Sequence, residues 1–151
     1  MPALRKYENT GAYLHALYNA MIANLDKRLA EKGYAAITPS HALVYENLDD
    51  AGARITSLAA SAGITKQSMS ALVNKLEADG FVKRHRDPQD ARAVLFRLTA
   101  RGRALRRKAR RLNYQYEQKW AQKLGAKEYL RFKEMVSTLV GEPTTDLNVN
   151  V

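Results

Sequence analysis

Residues 55–84 read ITSLAASAGITKQSMSALVNKLEADGFVKR, and this stretch decides the fold. A short helical run over 56–62 stops at Gly63, and Thr65 is suited to cap a second, longer run. The second run carries one apolar stripe, made of Met69, Leu72, Val73 and Leu76. Two helices joined through a glycine and an apolar residue are typical of a helix-turn-helix, so we predict that motif here.

The sequence that follows, RDPQDARAVLFRLTARG over 86–102, changes its periodicity. Between Phe81 and Leu98 the apolar period falls from 3.6 residues to two, with Val94, Phe96 and Leu98 alternating. The turn-forming residues Asp87-Pro88-Gln89-Asp90 separate two β-rich runs. We therefore predict a β-hairpin directly after the helix-turn-helix.

Helical periodicity returns on both sides of this region. Apolar residues recur over 14–29, and Thr38-Pro39 is expected to open a second helix that runs through Leu48. Two further helices are predicted after the hairpin, one over 99–125 and one over 126–140. The predicted fold class is mostly α, a winged helix-turn-helix with a small β-hairpin wing.

The positive charge is concentrated in one segment. The chain of 151 residues has 25 Lys and Arg against 15 Asp and Glu, a net charge of +10. Residues 81–111 hold 12 of those basic residues and two acidic ones, and so carry the whole net charge. This concentration predicts a polyanionic partner, with nucleic acid as the first candidate and an anionic membrane or an acidic protein as alternatives.

Other classes of protein are excluded by what the sequence lacks. Without cysteine it can form no disulfide, iron–sulfur cluster or cysteine zinc site. Its three histidines are far apart, and no phosphate-cradling glycine motif or H-x-x-x-H pair is present. We therefore predict no enzymatic activity, no metal and no cofactor. The absence of a signal peptide or membrane-spanning run predicts a cytoplasmic protein with no membrane partner.

The second helix of the motif is predicted to face DNA. A 100° step per residue turns five side chains away from the apolar stripe, namely Gln67, Ser70, Ala71, Asn74 and Lys75. Gln and Asn side chains bond adenine edges in the major groove, and Ala is small enough to approach a thymine methyl group. Thr65, Lys66 and Ser68 lie at the helix N-terminus, where free N–H groups attract phosphate.

The hairpin and the following helix add cations. We predict phosphate contacts from Arg84, Arg86 and Arg103. Further arginines follow Arg103 on the same helix and form an arginine stripe with it, namely Arg106, Arg107, Arg110 and Arg111. Like charges one helical turn apart repel by about 0.2 to 0.5 kcal/mol per pair, so helix stability alone does not explain the stripe. We expect the later arginines to act through their electrostatic field.

Together the two quoted stretches resemble the MarR (multiple antibiotic resistance regulator) family of bacterial winged-helix transcription regulators. The most specific part is the Asp-Pro-x-Asp-x-Arg turn over 87–92, followed by Leu98-Thr99 and Gly102. The resemblance implies a homodimer formed by intertwined terminal helices. It divides the chain into a dimerisation region, 1–35 and 100–151, and a DNA-binding winged domain, 36–99.

The resemblance also implies individual roles. Arg92 at the wing tip is expected to enter the minor groove, where a guanidinium is favoured, and Asp90 is expected to orient the wing. A carboxylate close to the guanidinium of Arg92 can also hold that side chain in one rotamer. A pocket for a small aromatic or phenolic carboxylate effector is expected between the first two helices and the winged domain. Candidate residues for this pocket are His15, Tyr18, His41, Tyr45 and Arg54.

The function predicted is a ligand-responsive transcription regulator, a repressor, that binds pseudo-palindromic double-stranded DNA as a homodimer. The alternative is a sequence-tolerant architectural DNA-binding protein without an effector. A small-molecule enzyme is a third hypothesis, but the sequence offers it no nucleophile or metal site. A steep preference for one DNA sequence distinguishes the first hypothesis from the second.

Overall fold

A computed structural model of the chain describes residues 9–141, apart from the side chain of Ala91. It contains six α-helices, one 3₁₀ turn and one hairpin within those residues. The elements are α1 (Thr10–Ala30), a 3₁₀ turn (Pro39–His41), α2 (Ala42–Asn47), α3 (Ile55–Ala62), α4 (Lys66–Ala78), β1 (Val82–Asp87), β2 (Asp90–Leu98), α5 (Ala100–Leu124) and α6 (Ala126–Val140). The predicted fold class, mostly α with a two-stranded wing, is confirmed.

The chain divides into two compact units, one ending at Leu112 and the other beginning at Asn113. The boundary therefore lies inside α5. This division groups residues by their contacts and does not test which part dimerises. The assignment of 1–35 and 100–151 to dimerisation and of 36–99 to DNA binding stays a prediction.

The helix-turn-helix consists of α3 and α4. Gly63 ends α3 in the left-handed conformation, with φ +65°, which a residue with a Cβ rarely adopts. The N–H of Ile64 closes the turn by donating to the carbonyl oxygen of Ala59 at 3.1 Å. Thr65 then caps α4, since its hydroxyl oxygen accepts from the N–H of Ser68 at 3.1 Å. The local sequence signals at both helix ends are thus realised.

The core of the first unit lies under the apolar stripe of α4. Met69, Val73 and Leu76 are fully buried, and Leu72 is partly buried at the edge of the stripe. They pack in one cluster with residues of α2, α3, the hairpin and α5, among them Val44, Leu48, Leu58, Phe81, Val82, Phe96, Leu98 and Leu105. This packing turns the opposite, polar face of α4 towards solvent.

The two strands of the hairpin are antiparallel, with Val82 opposite Leu98 and Asp87 opposite Asp90. The base of β2 is also paired with the segment before α3, because Ala53 and Phe96 exchange two backbone hydrogen bonds of 3.1 and 2.9 Å. The predicted alternation holds for Phe96 and Leu98, which are buried. Val94 differs, with 42% of its surface exposed, since it lies opposite Arg86 where the hairpin extends past the core.

The second predicted helix is shorter than the sequence predicts. The chain opens after Thr38 with a 3₁₀ turn and α2 ends at Asn47, in place of one helix through Leu48. The cause is local, because the N–H of His41 bonds the carbonyl oxygen of Thr38 three residues earlier. The ring of His41 in turn accepts the N–H of Thr38 at its Nδ1 atom, at 3.0 Å.

Large apolar side chains remain exposed on both terminal helices. On α1 these are Tyr13, Leu14, Leu17 and Tyr18, while Leu29 near the end of the helix is buried. In the second unit, Tyr129 of α6 is buried and donates its hydroxyl to Glu117 at 2.7 Å. The large apolar residues exposed on α6 are Leu130, Met135, Leu139 and Val140. Within 9–141, no helix is long and apolar enough to cross a membrane.

Candidate nucleic-acid interface

The polar face of α4 is exposed as its periodicity predicts. Gln67, Ala71, Asn74 and Lys75 are exposed, and Ser70 is partly exposed. Lys75 also forms an ion pair with Asp79 at 3.1 Å, one turn further along the helix. The two amide side chains lie seven residues apart and therefore on the same side of the helix. This face is free for contact with a partner.

The N-terminus of α4 lies at the surface. Thr65, Lys66 and Ser68 are exposed there. The hydroxyl groups of Thr65 and Ser68 are hydrogen-bonded to each other at 2.8 Å, which fixes the cap. Unbonded N–H groups of a first turn attract anions, so this end of α4 is suited to a phosphate.

Two of the arginines predicted to contact phosphate have partners inside the protein. The guanidinium of Arg84 forms an ion pair with Glu77 on α4, with Nε 2.9 Å from both carboxylate oxygens. That guanidinium lowers the pKa of the Glu77 carboxyl below its ordinary value. Arg103 donates from Nη1 to the carbonyl oxygen of Leu98 at 2.8 Å. Both DNA contacts stay predictions; a phosphate competes with Glu77 for Arg84, whereas Arg103 keeps its charge and its other N–H donors.

The hairpin keeps three other cations exposed, Lys83, Arg86 and Arg92. Among the described residues, none of these three side chains forms a hydrogen bond or an ion pair. Arg86 lies on β1 and Arg92 follows the turn at the start of β2. The hairpin therefore presents unpaired positive charge along its length and at its tip.

Asp90 contacts the backbone of the wing and not the guanidinium of Arg92. Its Oδ1 atom accepts the backbone N–H of Arg92 at 3.0 Å. Its Oδ2 atom lies 3.6 Å from the guanidinium of Arg54. Asp90 therefore holds the backbone of Arg92 and leaves that side chain free to turn.

Intramolecular contacts account for part of the arginine stripe on α5. Arg106 donates to the carbonyl oxygen of Leu48 at 2.9 Å and to Asp50 at 3.0 Å. Arg101, just before the stripe, donates to the carbonyl oxygen of Asp79 and lies over the ring of Phe81. Sequence reasoning missed these partners because nothing local marks them. The remaining three arginines are exposed and have no carboxylate partner among the described residues, namely Arg107, Arg110 and Arg111.

The five residues predicted for an effector pocket lie in three separate places. His15 and Tyr18 are exposed on α1, where the ring of His15 contacts the amide of Asn19. His41 and Tyr45 are buried one turn apart at the start of α2. Arg54 lies just before α3 and bonds Asp87 of the hairpin. His15 and Tyr18 are therefore neighbours, as are His41 and Tyr45, but no one place holds all five residues.

A cavity of about 250 Å³ lies between the segment after α1 and the turn after α4. Its walls include Tyr34, Asp79, Phe81 and Arg101. The Oδ2 atom of Asp79 and the hydroxyl of Tyr45 are buried without a hydrogen-bond partner among the described residues. Burial raises the pKa of Tyr45, so its hydroxyl keeps its proton. The cavity thus unites an aromatic wall, a guanidinium and an unsatisfied carboxylate oxygen.

The described residues contain no cluster of three or more His, Cys, Asp or Glu side chains that could hold a metal ion.

Comparisons with known proteins agree with this geometry. A model of the MarR family matches residues 36–93, which include both helices of the helix-turn-helix and most of the wing. The resemblance predicted from the sequence is thereby confirmed. A search of curated proteins finds no match.

Several solved structures share the fold. The reduced form of MarR from E. coli is 19% identical, with 91% of this chain and 100% of that chain covered and a TM-score of 0.77. Streptococcus pneumoniae FabT in complex with DNA is 19% identical over 86% and 92% of the two chains, with a TM-score of 0.73. The transcriptional repressor CouR bound to a 23-mer DNA duplex is 24% identical over 91% and 99%, with a TM-score of 0.69.

Proposed function

We propose that this chain, whose winged region matches the MarR family, is a DNA-binding transcription regulator that acts as a homodimer on pseudo-palindromic double-stranded DNA. The observation that carries the proposal is the pairing of two surfaces in one unit. The exposed face of α4 has the amides of Gln67 and Asn74, and the adjoining hairpin has the unpaired cations Arg86 and Arg92. Amides read base edges, and arginines bind phosphate or a narrow minor groove.

In the proposed complex α4 enters the major groove and the hairpin lies against the flanking minor groove. The proximity of these elements supports this arrangement, because Glu77 near the end of α4 is ion-paired with Arg84 on β1. A shared core, with Leu76 and Phe96 both buried in it, holds helix and hairpin at one angle. The DNA complexes of FabT and CouR, which share this fold, support DNA as the partner.

The homodimer is proposed from the terminal helices. Exposed apolar residues are concentrated there, with Leu14 and Leu17 on α1 and Met135 and Leu139 on α6. On each helix these residues are three or four positions apart and so share a face, and an exposed apolar helix face marks an interface in soluble proteins. Two copies each present one recognition helix, so a two-fold axis predicts two half-sites about one helical turn apart.

We further propose that the chain represses transcription and that a small aromatic or phenolic carboxylate releases it. The likeness to CouR, a transcriptional repressor, supports the sign of regulation. The cavity lined by Tyr34, Asp79, Phe81 and Arg101 supports an effector, because it offers ring surfaces, a cation for a carboxylate and an unsatisfied oxygen on Asp79 that accepts from a phenol hydroxyl. We therefore assign the effector to this cavity, and the roles of the five residues expected from the resemblance stay predictions.

The DNA-binding proposal is tested by selecting duplexes from a random library and titrating the selected and random sequences by fluorescence anisotropy. We expect a pseudo-palindromic site bound at least about a thousandfold more tightly than random DNA. A preference below about tenfold contradicts the proposal and favours the architectural alternative. Sedimentation at micromolar concentration tests the dimer, and a monomer there contradicts it.

The effector proposal is tested with salicylate as the probe. We expect salicylate at millimolar concentration to raise the melting temperature and to weaken binding to the selected duplex, because a ligand that prefers one state shifts the equilibrium towards it. The Arg101→Gln variant is expected to lose both effects. Benzyl alcohol, which lacks the carboxylate, is the control ligand. Equal responses to the two compounds contradict a site built around Arg101.

A further inference from the structure

Arg54 connects the helix-turn-helix to the wing. It stands directly before α3, and its neighbour Ala53 is paired with Phe96 at the base of β2. Its guanidinium reaches the far end of β1, where Nε and Nη2 donate to Oδ2 of Asp87 at 2.9 and 2.5 Å. Asp87 is only 7% exposed, so its carboxylate is largely enclosed by this contact. Neither the DNA contacts nor the effector cavity uses it.

The two carboxylates near Arg54 bound the hairpin turn. Asp87 ends β1 and Asp90 begins β2. The Oδ1 atom of Asp87 accepts the N–H of Gln89 at 2.9 Å, and Oδ1 of Asp90 accepts the N–H of Arg92 at 3.0 Å. Each of the two acids thus uses one oxygen to hold the backbone of the wing tip. The other oxygen of each acid faces the guanidinium of Arg54.

The electrostatics favour the charged form of this assembly. The N–H of Gln89 and the guanidinium of Arg54 lower the pKa of the Asp87 carboxyl below its ordinary value. A guanidinium donates in a planar fork and binds a carboxylate with two hydrogen bonds, which an ammonium group does not reproduce. The contact therefore depends on arginine in particular and not on positive charge alone.

We propose that Arg54 is a positioning residue that clamps the wing to the helix-turn-helix and thereby aims Arg92 at the minor groove. This inference rests on the proposed DNA-binding function. The tip half of the hairpin, residues 85–95, has one buried side chain among its described residues, that of Asp87. Without the clamp, no buried contact holds this half in place. Arg92 then samples more directions in the free protein, so more conformational entropy is lost when it binds DNA and binding is weaker.

The competing explanation is that Arg54 itself contacts phosphate. Its side chain is 41% exposed, so the two explanations need separate predictions. The Asp87→Asn variant distinguishes them, because it removes the nearer negative charge and leaves the guanidinium with the weaker ion pair to Asp90. A phosphate contact predicts tighter DNA binding and a steeper salt dependence for this variant. The clamp predicts weaker discrimination between DNA flanks, since Arg92 is no longer aimed.

The first measurement needs no DNA. Amide hydrogen exchange of Gln89 and Arg92 is compared in the full chain and in Arg54→Gln, Arg54→Lys and Asp87→Asn. We expect exchange at both amides to become at least about tenfold faster in all three variants, because the wing tip opens locally. Arg106→Gln is the matched control, since it also removes one arginine ion-paired with an aspartate, Asp50. Unchanged exchange in the three variants overturns the clamp.

The second measurement uses duplexes with A·T-rich and G·C-rich flanks around the selected site. An arginine in a narrow minor groove prefers A·T-rich flanks, so we expect the wild-type chain to prefer them by about tenfold. Arg92→Ala and Arg54→Gln are each expected to lower this ratio to near one, and the double variant is expected to equal Arg92→Ala. Additive effects of the two substitutions overturn positioning through Arg92.

The two measurements separate the clamp from the function it serves. If the wild-type chain shows no sequence preference at all, the proposed function fails, and with it the role of Arg54 in aiming Arg92. Hydrogen exchange still decides whether Arg54 holds the wing in that case. Circular dichroism melting of Arg54→Lys and Asp87→Asn checks that both variants stay folded.

Discussion

Gly102 packs so closely against Phe81 that a Cβ atom built on the glycine would lie 2.0 Å from the phenylalanine carbonyl oxygen. The same carbonyl oxygen accepts the N–H of Thr99 at 3.0 Å, and the Thr99 hydroxyl oxygen accepts the N–H of Gly102 at 3.0 Å. The first turn of α5 is thus joined to the start of β1. This close approach explains why the sequence has a glycine three residues after the threonine.

Replacing this glycine is expected to destabilise the protein. Gly102→Ala forces α5 away from β1, and overpacking of this kind costs about 1 to 3 kcal/mol of the free energy of unfolding, or more where backbone must move. Urea unfolding followed by circular dichroism measures the effect. Gly11→Ala on exposed α1 is the control, because its added Cβ approaches only the side chain of Asn9. Equal small changes in both variants contradict the close approach.

Substitutions on the exposed face of α4 are expected to change specificity. Gln67→Ala or Asn74→Ala removes an amide that reads a base edge, so binding to the selected site should weaken by about 1 to 3 kcal/mol. Binding to random DNA should change little. Gln122→Ala, an exposed amide on α5 outside the proposed contacts, is the control. If both α4 variants weaken every sequence equally, α4 does not read bases and the architectural alternative gains support.

The salt dependence of binding should separate free arginines from paired ones. Removing one cation that neutralises a phosphate flattens the slope of log K against log salt by about 0.9, and we expect that change for Arg86→Ala on all duplexes. Arg84→Ala should flatten it less, because this side chain is already ion-paired with Glu77 in the free protein. Arg111→Ala removes one unpaired cation outside the proposed interface and serves as the control. Equal slopes for Arg84→Ala and Arg86→Ala would mean that Arg84 exchanges Glu77 for phosphate.

Stability is expected to fall below neutral pH because of His41. The ring is 5% exposed and accepts the N–H of Thr38 at Nδ1, so it is neutral in the folded protein. Burial lowers its pKa, and the unfolded chain therefore takes up the proton first as the pH falls. The free energy of unfolding should decrease as the pH is lowered from about 6.5 through the folded-state pKa.

Melting temperatures between pH 7.5 and pH 5 measure this effect. His41→Asn keeps a hydrogen-bond acceptor without a titrating ring, and it should melt with a weaker pH dependence than the wild type. His85→Asn, which replaces an exposed histidine on β1, is the control variant. Parallel pH curves for the wild type and His41→Asn rule out His41 as the source.

The sequence alone determined the elements and the exposed face of α4. A helix turns 100° per residue and a strand alternates, so the direction of a side chain relative to its near neighbours is set by spacing. The stripe of Met69 and Val73 and the cap at Thr65 are local features of this kind. The wing turn and its flanking residues also lie within one short stretch, which is why the family resemblance could be recognised before the structure.

Only the tertiary structure decided which charges are available. Arg84 and Arg86 are the same residue type on the same strand, β1. Packing brings Glu77 to Arg84 but, among the described residues, no acid to Arg86. The pairs Arg54–Asp87 and Arg106–Asp50 join residues 33 and 56 positions apart, and no periodic pattern encodes such distances. The ion pair of Asp90 with Arg54 likewise follows from no local pattern. Contacts between distant segments depend on how the elements pack, and that packing is a property of the whole folded unit.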